Sequence, residues 1–344
     1  MTDDPTVPDS VIDAFALDRA SLEPLVGGLI NTSLAAQRSD GQACVVQRVN
    51  PIFPPEVHQD IEAVTRHLES RDLPTPLLLP TQTGELHVES NDQVWRVLTR
   101  IEGESHHSVA SDAMAREAGR VLGAFHAALA DFDAELASKR PGVHDIARHL
   151  VNLERAIAEH PQHSAHAEVT RLAVRINKLV AELPPLPDTS ITLVHGDPKI
   201  SNVIFAGDSA VCLVDLDTLA RQPVALEIGD ALRSWCNPES EDSPLAHFSV
   251  DRYAAVLEGY TAAAGQLFDA TVRMAVADTS ALIALELATR FAADALNESY
   301  FNWDQQHFAS AAEHNLARAA AQQQLAESMI AVLPEMRRLA MTQS

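Results

Sequence analysis

The stretch LVHGDPKISNVIF, residues 193–205, followed within ten residues by VCLVDLDT, constrains the fold more than any other feature of the chain. Charged and amide side chains are costly to bury unless paired or bound to something. Here His195, Asp197, Lys199 and Asn202 stand between two apolar, β-branched runs, and Asp215 and Asp217 follow at once. Such a pattern predicts polar loops carried by short strands, with a site built on a hairpin.

Before this stretch the chain changes texture. Residues 9–18 read as a short amphipathic helix, and EPLVGGLINTSLAAQRSDGQACVVQRVN reads as three strands. Gly27-Gly28 breaks the first hairpin, and Asp40-Gly41 between two strand-like runs marks the second. PPEVHQDIEAVTRHLES predicts a helix that stops before Pro74-Thr75-Pro76. Two more strands are expected near 85–90 and 93–101, with a turn at Asn91-Asp92. From Ser111 onward, apolar spacing predicts helices over 112–132, 142–158, 164–182, 224–236, 250–264, 270–297 and 308–338. The expected fold class is therefore α+β: a small β-rich lobe over 1–103, a hinge near 99–103, and a larger helical lobe over 104–344.

The spacing Asp-x-Lys-x-x-Asn has a chemical reading. Phosphoryl transfer needs an acceptor hydroxyl held in line, a proton acceptor beside it, and cations on the transferring group. Asp197 can accept the proton, Lys199 can reach phosphoryl oxygens, and Asn202 offers an amide oxygen to Mg²⁺, which prefers oxygen ligands. Asp215 supplies a carboxylate to the same ion. Taken singly, Asp197, Asn202 and Asp215 could each simply cap a loop by an Asx turn; three at this spacing argue for the site.

H-G-D-x-x-x-x-N followed by V-D-L-D resembles the aminoglycoside phosphotransferase/choline kinase-like superfamily. The runs GGLINTSL, VVQRVNPIF, DLDT, GDALR, TRFAADALNESYF and HNLARA, spread from Gly27 to Met329, resemble its N-acetylhexosamine 1-kinase branch. The resemblance implies a two-lobed protein-kinase-like fold, ATP and Mg²⁺, and phosphorylation of a sugar at its anomeric hydroxyl. It gives Asp197 the role of base, places Asn202 and Asp215 at the metal, and puts Asp217 in the second acidic place, close to metal or substrate. His195 and Asp230 fall on positions that brace the loop. Gly27, Gly28, Asn31 and Thr32 fall on the hairpin that covers the nucleotide, with adenine expected against Thr99–Ile101. The strand CVVQRVN departs from the pattern by lacking a lysine. Arg48 is the expected substitute and Gln47 its competitor, since strand neighbours face opposite ways; Glu62 is the expected partner carboxylate.

For the acceptor, Glu286, Arg290 and Asp294 share one helical face. Arg290, Asp294, Tyr300, Arg233 and Asp217 are candidate substrate contacts beside Asp197. A salt-bridge ladder and plain core aromatics are the duller readings of the same residues. His126 is expected to be a packed core histidine, and His106-His107 a polar loop. An aminoglycoside, a choline-like amine or homoserine is the alternative acceptor, and a nucleotide-binding pseudokinase the alternative from another class.

Composition excludes some partners. A formal net charge of −23 over 344 residues argues against nucleic acid and against anionic membranes. No apolar run reaches the roughly 20 residues of a membrane span. The acidic N-terminus lacks the features of a secretory signal, and Cys44, Cys212 and Cys236 show no zinc-ligand spacing. The expectation is a cytoplasmic monomer or weak homodimer acting on a small molecule.

Overall fold

In the computed structural model, residues 6–25, 31–138 and 144–342 are described. Helix α1 (Asp9–Phe15) precedes strands β1 (Glu23–Pro24), β2 (Thr32–Gln37), β3 (Ala43–Val49), β4 (Val88–Ser90) and β5 (Gln93–Thr99). The strands form one antiparallel sheet in the order β1-β2-β3-β5-β4. Its turns follow from local chemistry. At the β2–β3 turn Gly41 takes φ +86°, and the Asp40 carboxylate accepts from the Gln42 amide at 2.9 Å. Asn91 and Asp92 both lie at positive φ, as a tight two-residue hairpin requires.

Alternation sorts the sheet into two faces. Leu34, Ala36, Cys44, Val46, Trp95 and Val97 face Val11, Ile12 and Phe15 of α1 and make a small core with them. Ser33, Val45, Gln47, Arg96 and Leu98 line a cleft on the other face.

Helix α2 (Val57–Ser70) turns Val57, Ile61, Val64 and Leu68 into the large core shared with the later helices. Asp60, buried on α2, accepts from the Ala137 amide at 2.6 Å, the Ser138 amide at 2.9 Å and the Ser138 hydroxyl. So α2 follows the sheet in sequence but is fastened to the helical part.

The remaining helices are α3 (Asp112–Ala128), α4 (Ile146–Glu159), α5 (His166–Glu182), α6 (Val224–Trp235), α7 (Val250–Ala264), α8 (Ala270–Asn297) and α9 (Ala311–Thr342). Ser111, Ser249 and Asp269 cap α3, α7 and α8 by accepting backbone N–H bonds. Helix α8 is buried on nearly all sides, and α4, α5, α6 and α9 pack against it. Helices α3 and α7 approach so closely that a Cβ on Gly259 would lie 1.9 Å from the Arg116 carbonyl oxygen. No described helix is long and apolar enough to cross a membrane.

Four short strands, β6 (Ile191–Val194), β7 (Val203–Ala206), β8 (Ser209–Leu213) and β9 (Ala220–Pro223), pair as β6 with β9 and β7 with β8. The fold is thus a small antiparallel sheet over a helical body, the two-lobed architecture expected from the sequence. Between them, residues 100–111 run from the end of β5 to α3, bridging to β7 through paired backbone bonds of Glu104 and Phe205 at 2.8 and 2.9 Å.

His58, on α2, is 1% exposed and stacks on His87 at 4.5 Å between ring centroids. Burial, with the Arg96 and His87 charges adding to it against the Pro55 carbonyl, pushes its pKa from 6.5 down to about 4. The unfolded chain therefore takes up a proton that the folded chain refuses. The stability tied to this group is complete above pH 6.5 and is lost as pH falls towards 4, by about 3 kcal/mol in all. In urea denaturation, the stability of the native chain relative to His58→Gln should fall by that order between pH 7 and pH 4; a gap independent of pH would contradict it.

Candidate active site

Hairpin register explains how residues far apart in sequence meet. Val203 pairs with Leu213, and the Val214 amide donates to the Asn202 carbonyl at 2.9 Å. Asn202, entering β7, and Asp215, leaving β8, therefore sit side by side. In the second pair Val194 lies opposite Ala220, which sets His195–Asp197 against Thr218. The Thr218 hydroxyl donates to the His195 carbonyl at 2.8 Å. Gly196 has φ +84°, and a Cβ there would stand 2.1 Å from the Thr218 carbonyl oxygen, so only glycine fits.

The loop is held from below by Glu227 on α6, fully buried. Its two oxygens accept from the amides of His195 at 2.8 Å and Gly196 at 3.0 Å. His126 Nε2 lies 3.8 Å from the same carboxylate, and His126 Nδ1 and the Tyr260 hydroxyl are hydrogen-bonded at 2.8 Å. His126 is thus the core histidine expected, and it also joins the buried support of the loop. Asp230, the expected brace, instead pairs with Arg233 at 2.8 Å. Glu227, one turn earlier, is the carboxylate that faces the loop; its place in EIGDALR is a signal, but choosing between the two needs the helix rotation.

On this base the polar groups converge. Lys199 Nζ lies 2.5 Å from Asp197 Oδ2. Asn202 Nδ2 donates to the Asp197 carbonyl at 2.8 Å, which commits the nitrogen and orients the amide. Burial pushes the Asp197 carboxyl up, but the Lys199 ammonium, with His195 and Arg233 beyond it, outweighs this and holds it below the carboxylate range. Among the described residues Asp215 has no such partner. Burial and the Asp217 charge raise it to about 6 against the pull of Lys199. Its backbone is left-handed, with φ +67°.

Two cavities meet at Lys199, which borders both. One lies under the sheet, lined by Ser33, Gln47, Arg96, Thr99, Ile101, Asn202 and Asp215 among others. The other, of about 590 Å³, lies over the helices and is lined by Asp197, Asp230, Arg233, Glu241, Glu286, Arg290, Tyr300 and Phe301. An oxygen-donor pair, Asn202 and Asp215, in a cleft where Asp215 lacks a cation of its own, fits a hard divalent ion; such an ion would neutralise phosphate charge there.

Several expected site residues lie elsewhere or do other work. Gly28, with Gly27, falls outside the described residues. Arg48 faces away from the cleft and donates to the Thr32 hydroxyl at 3.2 Å; Thr32 does not line the cavity either. It is Gln47 that faces the cleft, because the register pairs it with Ser33 and Arg96. Glu62 pairs with Arg66 at 2.9 Å, one helical turn along, not with a cation of the sheet. Asp217 is not open to substrate: its oxygens accept from Arg96 at 2.5 and 2.8 Å and from Asn31 at 2.6 Å. Asn31 in turn accepts from the Asn50 amide at 2.9 Å. Asp294 is also a brace, accepting from the amides of Ser299, Tyr300 and Phe301 and from Asn315, so it shapes the loop that presents Tyr300. Thr99 and Ile101 line the sheet-side cavity; Arg233, Arg290 and Tyr300 line the other. Arg290 stands 5.8 Å from the Tyr300 ring and 5.5 Å from that of Phe301. Glu286 is held by His144 at 3.1 Å, so the helical-face ladder with Arg290 and Asp294 does not form. Arg96, which the sequence did not single out, is the cation of the sheet's inner face.

A family profile described as "Phosphotransferase enzyme family" matches residues 21–275. Among curated proteins, a homoserine kinase of Rhizobium rhizogenes is 28% identical over 204 residues, and one of Agrobacterium fabrum is 26% identical over 201. The match covers 57% of this chain and 57% and 56% of those proteins, so the chain spans little more than half the length of either relative. Among solved structures, a microcompartment-associated aminopropanol kinase superposes with a TM-score of 0.65 at 16% identity, covering 94% of this chain and 97% of that one. An amicoumacin kinase in complex with AMP-PNP, Ca²⁺ and Ami superposes at 0.63 and 12% identity, covering 92% and 91%. At these identities the likeness is one of fold.

Glu227→Ala should leave the His195 and Gly196 amides without acceptors, lowering stability by about 2–4 kcal/mol in chemical denaturation. An unchanged midpoint would remove Glu227 as the support of the loop.

Proposed function

Because the chain belongs to the phosphotransferase enzyme family, we propose that it transfers the γ-phosphoryl group of ATP to a hydroxyl of a small molecule, and that this acceptor is a sugar, an N-acetylhexosamine or related hexose reacting at its anomeric hydroxyl. The observation that carries the transfer reading is the meeting of the two cavities at Lys199, with Asp197 on the helix side and Asn202 and Asp215 on the sheet side. The nucleotide enters beneath the sheet, its base against Thr99–Ile101. Mg²⁺ held by Asn202 and Asp215 supplies charge neutralisation on the phosphates. Asp197 accepts a hydrogen bond from the acceptor hydroxyl and takes its proton as the new P–O bond forms; ADP leaves with the electrons of the bond that breaks. With its pKa held low by Lys199, Asp197 is ionised when the acceptor binds and acts first by orientation, taking the proton late, which suits a loose transition state. Lys199 keeps that carboxylate in place and offers positive charge to the group in transit.

The sugar reading is supported by the aromatic ring of Tyr300, 64% exposed, and the Arg290 guanidinium beside it on the same cavity as Asp197. At about 590 Å³ the cavity is of small-molecule size. A second reading is a hydroxy amino acid such as homoserine, whose kinases are among the curated proteins this chain matches. It is supported by Arg290 for a carboxylate on the same cavity, where Asp230 and Glu241, which share Arg233, add negative charge for an ammonium.

A panel of free hexoses, N-acetylhexosamines, homoserine and choline-like amines, followed by ADP release and phosphorus NMR of the product, separates these. An anomeric phosphate from a sugar is expected; phosphorylation of amines or homoserine alone would reject the sugar. Asp197→Ala should stay folded, keep nucleotide affinity, and lose at least ~10²–10³ in kcat; turnover near the native rate would remove the base assignment.

A further inference from the structure

Strand β3 has no lysine on either face, yet the cleft beneath the sheet is not without a cation. The register sets Ser33, Gln47 and Arg96 in one row across β2, β3 and β5, all facing inward. Arg96 Nε donates to Gln47 Oε1 at 2.9 Å, and Gln47 Nε2 donates to the Ser33 hydroxyl at 3.0 Å. The end of the guanidinium grips both oxygens of Asp217, at 2.5 and 2.8 Å. Arg96 is 1% exposed and the Asp217 side chain 0%.

We infer that Arg96 is a positioning residue for the nucleotide phosphates: it carries, from β5, the inner-face cation that β3 lacks, with Asp217 as its fixed carboxylate partner. The inference rests on the phosphoryl-transfer reading above. Three observations lead to it. Arg48 points to the other face, and Glu62 pairs through one oxygen with Arg66 on its own helix and with no cation of the sheet among the described residues. A buried ion pair is weak as a source of stability, because desolvation offsets the attraction; an apolar pair would pack the same space at less cost. And Arg96 borders the same cavity as Lys199, Asn202 and Asp215.

The pair also divides the labour of the two aspartates in D-L-D. Asp215 is left for a divalent ion, while Asp217 has its oxygens filled by Arg96 and Asn31. Three of the five guanidinium N–H groups are used by Gln47 and Asp217, which leaves two donors on the cavity-lining side chain. Through Gln47 and Ser33 the same contacts tie the Asp215 loop to β2, so a change at Arg96 is felt at both ends of the phosphate region.

The test compares MgATP and adenosine binding by calorimetry in the native chain, Arg96→Met and the double variant Gln47→Lys/Arg96→Met, with folding checked by circular dichroism. Arg96→Met should bind MgATP at least about 30-fold more weakly, with adenosine changed less than about threefold, because one oriented charge is lost and the base contacts are not. The lysine at 47, set beside Asp217, should restore at least about tenfold of the loss. Arg96→Met binding MgATP as the native chain does, or losing adenosine and MgATP alike, overturns the inference. If Arg96→Met does not fold, the double variant decides: folded with MgATP affinity within about tenfold of native supports it, and folded without MgATP binding overturns it. A native chain that binds no MgATP ends the phosphoryl-transfer reading itself; a native chain that binds it beside an unaffected Arg96→Met ends this inference alone.

Discussion

Asp215 is the carboxylate around which the rest is arranged, because among the described residues it has no cation to itself. Asp197 has Lys199 and Asp217 has Arg96, at 2.5 Å in each case. Asp215 stands between them, raised to about 6 by burial and by the Asp217 charge. A group in that state is stabilised by any cation delivered next to it, and the Asn202 amide oxygen is the neutral oxygen ligand nearest in the hairpin register. The backbone at 215, two residues past β8, is left-handed, uncommon for a residue with a side chain.

The supports run in two directions. From the helices, Glu227 fixes the amides of His195 and Gly196, backed by His126 and Tyr260, so the loop of Asp197 rests on a buried polar column and not on packing alone. From the sheet, Arg96 and Asn31 reach Asp217. The two halves of the molecule therefore meet through charged and amide groups at the mouth of the cleft, while α2 and its Asp60 tie the segment after β3 to the helical body. Polar groups buried this deeply are costly when half satisfied, and in this network most are filled.

Much of the fold was legible because its signals are local. Helix α8 runs over the span that apolar spacing marks, Ala270–Asn297, and Asp40-Gly41 and Asn91-Asp92 turn where turn chemistry says they should. The convergence of Asp197, Lys199 and Asn202 was legible too, since the loop is short. Strand register was not. Whether Gln47 or Arg48 faces inward depends on pairing with β2 and β5, and Arg96 acquires meaning only as Gln47's neighbour. The same holds for Asp294: on α8 it shares a face with Arg290 by spacing, yet the chain folds back at 298–301 and takes its oxygens for three backbone amides. Helix rotation hid Glu227 behind Asp230 for a like reason.

The claim on which the account turns is that Asn202 and Asp215 hold a divalent ion together with the nucleotide. Electron paramagnetic resonance of Mn²⁺ with AMP-PNP tests it directly, comparing the native chain with Asp215→Asn. An ordered Mn²⁺ signal is expected that requires both nucleotide and native chain and is lost in Asp215→Asn while the protein remains folded. The same bound-ion signal in the folded variant would contradict it.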